Sequence, residues 1–224
     1  MLQPLADNLW CAEHAFNIAG IPISSRMTVA RLKNGGLWLH SPIPLDAPAR
    51  QQLDVLGPVQ HVVAPSKMHH LFAGDLMAHY PAATLYGPPG LKTKRPDLLM
   101  LQRLPESAGP WGPELQWLLF EGIPAANETV WFHAPSATVI FADLCQWWRG
   151  QLPWQTHLFT TLTGVRKNLD MARSVRALVR DKAAARASAQ KILQWPFKRI
   201  IVAHNTVVQD DARALLTHAF RHLQ

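Results

Sequence analysis

His69, His70, Asp143 and His204 are the residues of this sequence best suited to hold a metal ion. His69 and His70 follow Val62-Val63-Ala64-Pro65, Asp143 follows Val139-Ile140-Phe141-Ala142, and His204 follows Ile200-Ile201-Val202-Ala203. Short β-branched runs of this kind read as buried strands. Ligand sites of α/β sheets lie where strands end and loops converge. Imidazole nitrogens and a carboxylate are the donors that a borderline ion such as zinc takes. Each residue alone has a plainer reading, as a hydrogen-bonded structural histidine or an aspartate that closes a turn. The coincidence of several strand ends is what points to a metal.

These runs belong to a regular alternation of elements. "MTVARLKNGGLWLHSPIPLD" reads as two strands about Asn34-Gly35-Gly36, since Asn-Gly and Gly-Gly tolerate the positive φ of tight hairpins. Ala47 to Gly57 has leucine and valine at helical spacing and a glycine stop. "VQHVVAP" is a buried strand, "HHLFAGDLMAHYP" a short helix closed by Pro81, and "ATLYGPPG" a further strand. "ELQWLLFEGI" and "ETVWFHAPSATVIFADL" supply three strands of an antiparallel region, the last two joined by a turn at His133 to Ser136. "GVRKNLDMARSVRALVRDKAAARASAQKILQWP" reads as helical, with Ala172, Val175, Leu178 and Val179 on one face. The strand "RIIVAHN" then leads into a last helix, whose Asp210 and Asp211 suit the positive end of its dipole. The pattern predicts a layered α/β fold. With no repeat, linker or clear boundary, residues 1–224 read as one domain.

Composition narrows the function classes. The chain is 48% hydrophobic and 17% charged, which excludes a disordered protein. Cys11 and Cys145 give neither a disulfide framework nor a CxxC spacing, and the N-terminus has no signal-peptide pattern. A cytoplasmic protein is expected. No apolar run approaches the length of a membrane span, and no membrane partner is expected. The net charge of +7 is local: ten of the 22 Lys and Arg, against two of the 15 acids, lie between Arg166 and Arg199. That segment carries +8 and the remainder of the chain −1.

The order of these elements resembles the metallo-β-lactamase fold superfamily, over most of residues 5–220. The resemblance rests on "TVARLKNGGLWLHSP", "VVAPSKMHHLF", "ETVWFHAPSATVIFADL" and "RIIVAHN", and the match is to an offshoot with degenerate metal motifs. It implies a four-layer αββα sandwich and an ancestral two-metal hydrolase site. The superfamily's H-x-H-x-D-H signature falls on Pro65 to His70. Pro65 and Lys67 replace its first two histidines, His69 replaces its aspartate, and His70 matches its last histidine. Asn127 or Glu128 stands near a further ligand position. The bridging aspartate and terminal histidine match Asp143 and His204.

The first metal subsite therefore reads as dismantled, and the second as surviving in His69, His70, Asp143 and His204. The resemblance implies at most one ion, zinc, iron or manganese, or none. Lys67, paired with Glu128, is expected to put positive charge where the missing ion would sit, with Asp143 as its catalytic partner; its plainer reading is a solvated loop lysine. His40 falls where the superfamily has an Asp-x-Gly turn and is expected beside the site. Trp147, with Trp148 and Trp154, is expected either to wall a pocket or to join the core. No P-loop and no G-x-S-x-G elbow occurs.

Two function classes remain. One is a metal-dependent hydrolase acting on a small molecule, for which the basic segment suggests an anion. The other is a non-catalytic descendant that binds a ligand or partner through the same cleft. Nucleic acid is disfavoured as a partner, because the basic segment has few interleaved aromatics and matches no recognition module.

Overall fold

The computed structural model describes residues 1–106 and 109–224. Among them the chain forms two sheets flanked by helices. The first sheet has β1 (Gln3–Ala6), β2 (Leu9–Ile18), β3 (Ile21–Arg31), β4 (Leu37–His40), β5 (Val59–Val63), β6 (Thr84–Gly87) and β7 (Gln102–Arg103), side by side in chain order. β1 to β4 pair antiparallel and β4 to β7 pair parallel. The second sheet has β8 (Leu115–Leu119), β9 (Thr129–His133), β10 (Thr138–Ile140), β11 (Arg199–Ile201) and β12 (Val207–Val208), in the order β12-β11-β10-β9-β8.

Each sheet buries both faces. Between them lie Trp38, Val63, Trp111, Trp131, Ile140 and Ile201. Trp131 is central to this layer, with ring centroids 4.8 Å from Trp38 and 4.9 Å from Trp111. The outer face of the first sheet packs on α1 (Ala47–Leu56) and α2 (Ala73–His79) through Leu39, Leu53, Val62 and Leu76. A one-turn helix, α3 (Leu91–Lys94), follows β6. The outer face of the second sheet meets α6 (Lys182–Gln194) and α7 (Ala212–Ala219) through Val139, Ala189, Ile192, Ile200 and Leu216. The resulting layers are helix, sheet, sheet, helix, which is the αββα sandwich that the resemblance implied.

Turn chemistry sets several of these junctions. Gly35 takes φ +84° in the β3–β4 hairpin, as the Asn-Gly-Gly sequence predicts. Gly57 ends α1 at φ 150°, and a Cβ there would lie 2.3 Å from the Gly35 carbonyl oxygen. The end of α1 thus rests on the hairpin turn itself. At its start, Asp46 accepts from the Ala49 amide at 2.8 Å.

Two regions differ from the sequence reading. The basic segment, expected to be helical at about 165–195, holds two separate helices, α5 (Arg173–Ala177) and α6. The preceding residues are pulled into extended backbone, where Asp170 and Gln146 exchange amide bonds. The amides of Arg180 and Asp181 turn to the Gly122 carbonyl, and the Asp181 side chain then caps α6. The second difference is α4 (Trp154–Thr163), which the sequence did not suggest. It buries Thr156 and Thr160 against β3 and leaves its apolar residues outside. At the last helix, Asp211 takes φ +52° and makes no side-chain cap bond.

Candidate metal centre

Parallel pairing places two of the expected ligands. In the β10–β11 ladder Ile140 is opposite Ile201. Asp143 and His204 each stand three residues further on, so they emerge together at the carboxyl end of the second sheet. From the first sheet, β5 delivers the loop 64–72. There the buried Ser66 hydroxyl accepts from the amides of Met68 and His69, both at 3.1 Å, and turns the chain so that His69 points inward.

The three side chains converge. His69 Nε2 lies 3.2 Å from Asp143 Oδ2, His204 Nε2 lies 3.0 Å from Asp143 Oδ1, and the two Nε2 atoms are 3.2 Å apart. One donor atom from each residue falls within a 4.8 Å set. Both rings are fixed from behind. His204 Nδ1 donates to the Ser24 carbonyl at 2.6 Å, and His69 Nδ1 shares a 2.7 Å hydrogen bond with Ser41 Oγ. Ser41 holds its position with φ +60°, an uncommon conformation for a residue with a Cβ. Trp148 stacks on His204 with centroids 5.4 Å apart and planes 14° apart.

These contacts set a charge requirement. The Ser24 carbonyl can only accept, so the proton of a neutral His204 sits on Nδ1 and its Nε2 is a bare lone pair. That lone pair faces a carboxylate oxygen and a second imidazole nitrogen. Acceptors so close need a positive species among them, either an extra proton or a metal ion. Burial opposes ionisation of Asp143, but His69 and His204 outweigh it and hold its carboxyl well below the usual carboxylate range. Burial likewise lowers the pKa of His204, and Asp143 reverses this and raises it.

The residues fit an ion. Four-coordinate zinc with bonds of ~2.0–2.1 Å separates neighbouring donors by ~3.3 Å, close to the spacings seen here. Both histidines also carry the oxygen partner behind the ring that metal-binding imidazoles use to fix their tautomer.

Other expected site residues lie elsewhere. His70 is outside the set: its Nδ1 and its carbonyl oxygen each lie 3.0 Å from Arg95 Nη1. Burial, then Lys94 and Arg95, lower its pKa. Lys67 Nζ donates to the Pro124 carbonyl at 2.8 Å, its stem lying over Gly90. The expected Lys67–Glu128 pair does not form, because Glu128 is committed to the backbone. Its Oε1 accepts from Ala142, and its Oε2 from Asp143 and Leu144, all at 2.8 Å. Burial and then Asp143 push that carboxyl up to about 8, against the pull of the three amides. Pro65, where the resemblance places a ligand, accepts from the Thr129 amide and hydroxyl.

His40 is buried against Trp38, its Nε2 unpartnered, and burial and then His69 lower its pKa to about 3. Trp147 packs on the core under the Arg149 guanidinium, so the tryptophan against the site is Trp148. The sequence reading missed Ser41, Ser66 and Arg26. Arg26 is buried and donates to the carbonyls of Val202, Asn205 and Thr206 around His204, and to Glu13. Only the Ser66-x-x-His69 spacing was a usable signal for any of them.

Two facing sheets with this donor set at their common edge have the metallo-β-lactamase fold. A metallo-β-lactamase from Pontibacter korlensis is similar over 100% of this chain and 98% of its own, at 14% identity and a TM-score of 0.65. One from Hirschia baltica gives 100% and 97%, 10% and 0.66. The mono-zinc form of FIM-1 from Pseudomonas aeruginosa gives 98% and 93%, 10% and 0.66. At such identities the likeness establishes the fold alone. Residues 6–153 match the family described as Domain of unknown function (DUF4336), and the chain belongs to that family. No curated protein matches it in sequence.

Proposed function

We propose that this protein is a hydrolase-like metalloprotein in which His69, Asp143 and His204 hold one ion, zinc before iron or manganese. The observation that carries the proposal is the lone pair of His204 Nε2, aimed by the Ser24 carbonyl at an anionic oxygen and a second imidazole. Such an ion, when bound, acidifies a water and polarises a substrate oxygen. The chain's own residues do the rest. Ser24 and Ser41 hold the two imidazoles, Trp148 keeps water from one face of His204, and Glu128 fixes the loop that presents Asp143. Three protein ligands leave a fourth position for water or substrate, the pattern of catalytic rather than structural zinc.

A small anionic molecule suits the surroundings, since Lys67 lies in the 64–72 loop and Lys94 and Arg95 bond to that loop at Lys67 and His70. FIM-1, of the same fold, was solved in a mono-zinc form, so a single ion has precedent on this scaffold. Two buried free cysteines suit a reducing, cytoplasmic setting.

A second reading is favoured by the same contacts. With His204 protonated, the three side chains satisfy one another without metal, and the cleft serves binding alone. Metal content separates the two. Protein purified without a histidine tag is expected to hold about one equivalent by mass spectrometry. His69→Ala and His204→Ala lose it, and His70→Ala keeps it. Less than about a tenth of an equivalent after zinc or iron is offered, unchanged by the variants, overturns the metalloprotein reading.

A further inference from the structure

Helix α4 is inside out. Trp154, Leu158 and Leu162, one turn apart, are 72, 50 and 62% exposed, while the face against the protein buries Thr156 and Thr160. A helix placed only by its own protein would do the reverse. The Thr156 hydroxyl donates to the Pro22 carbonyl, which fastens α4 to the long β2–β3 hairpin. That hairpin ends in an apolar tip as well, with Ile18 47% exposed and Ile21 partly so. Residues 14–25 and 150–165 contain no Asp, Glu, Lys or Arg, and His14 and His157 are their one titratable side chain each.

Basic groups frame this face. Arg149 precedes α4 and is exposed, and Arg166 donates to the carbonyls of Trp148 and Gly150. At the other end Lys167 is exposed, and Arg173 donates to the Leu162 carbonyl. None of these four meets a carboxylate among the described residues, and residues 144–169 contain no acid.

We propose that the outer face of α4 and the tip of the β2–β3 hairpin form a peripheral docking surface for anionic lipid membranes. The exposed apolar side chains enter the headgroup boundary, Trp154 among them, and the basic frame meets lipid phosphates and carboxylates. A second copy of the chain fits poorly. Both ends of α4 are basic, so pairing the face with itself in either direction brings like charges together. A protein groove fits less well than lipid, because these side chains protrude and a deformable surface accommodates them without a matching hollow. Such a face leaves no long apolar run in the sequence. Among the described residues no helix is long and apolar enough to cross a membrane, and surface docking requires none. β3 runs from the exposed tip to Ser24, behind His204, so docking would bring the metal centre to the lipid surface. The proposal stands apart from the hydrolase reading, since docking needs no metal.

The test is co-sedimentation of the full chain with vesicles of phosphatidylcholine alone or with about 30% phosphatidylserine. The expected result is binding to the anionic vesicles, weakened at least about tenfold by the triple change Trp154→Ser, Leu158→Ser, Leu162→Ser. Raising salt from about 0.1 to 0.5 M should weaken it too. All three residues are exposed, so the variant is expected to melt like the parent. No sedimentation with either vesicle, equal sedimentation with both, or binding that survives the triple change would each overturn the proposal. So would a dimer by light scattering that the triple change makes monomeric, which would name a second copy as the occupant.

Discussion

The two groups of residues expected at the site are used in opposite ways. On one side His69, Asp143 and His204 converge within hydrogen-bonding distance, each imidazole held by an oxygen behind it. On the other, the residues that the resemblance set at or near ligand positions are tied to the scaffold. Pro65 offers its carbonyl to Thr129, Lys67 reaches the Pro124 carbonyl, and Glu128 caps three backbone amides. A polar residue at a cleft is thus no guide to function until its partners are counted. Donors that meet each other, with charge still to be balanced, mark a centre; donors spent on the backbone mark architecture.

The largest expected effect tests the architectural half. Glu128→Ala leaves three amides without an acceptor, two of them buried, and should cost about 3–5 kcal/mol in urea unfolding. Lys67→Ala removes one exposed hydrogen bond and should stay within about 0.5 kcal/mol. Similar losses for the two would erase the distinction drawn between them.

Acid dependence gives a control outside both halves. His133 is buried at the far end of β9, Nδ1 on Ser136 Oγ, and burial lowers its pKa to about 4. Because the folded value lies below the unfolded one, the stability this histidine contributes is present above pH ~6.5 and lost as pH falls toward 4, up to about 3 kcal/mol. His40 titrates in the same direction. Urea midpoints at pH 7.5 and 4.5 should therefore differ less in His133→Asn than in the parent. An identical pH response would refute this account of His133.

The finest comparison is Ser41→Gly. Glycine accepts φ +60° without strain, so stability should hold or rise by up to about 1 kcal/mol. The lost hydroxyl frees His69, and zinc affinity should fall about 10–100-fold. A parallel loss of both quantities would assign Ser41 to folding alone.

These outcomes also bear on what the sequence could reveal. The β3–β4 hairpin was legible because Asn34-Gly35-Gly36 admits few other geometries. Strand ends at Asp143 and His204 were legible as β-branched runs stopping at residues with metal-donor atoms. Choosing between His69 and His70 was not, since adjacent residues after a strand point in different directions and the Ser66 turn decides which faces in. Helix α4 was hidden by its threonines and by an apolar stripe facing outward. The division of α5 from α6 depended on Gly122, far away in sequence, accepting the amides of Arg180 and Asp181. A Cβ at Gly122 would lie 2.2 Å from the Asp181 carbonyl oxygen, so the approach itself requires glycine.

The placement of the three donors has a consequence for timing. His69 arrives from the first sheet, Asp143 and His204 from the second, and each sheet has a hydrophobic core of its own on its outer side. Neither half can present a complete set alone. Under the proposed metal reading, ion capture would then come late in the protein's maturation, a latch that closes only on two finished halves. The rate at which newly made chains take up zinc would report when those halves have met.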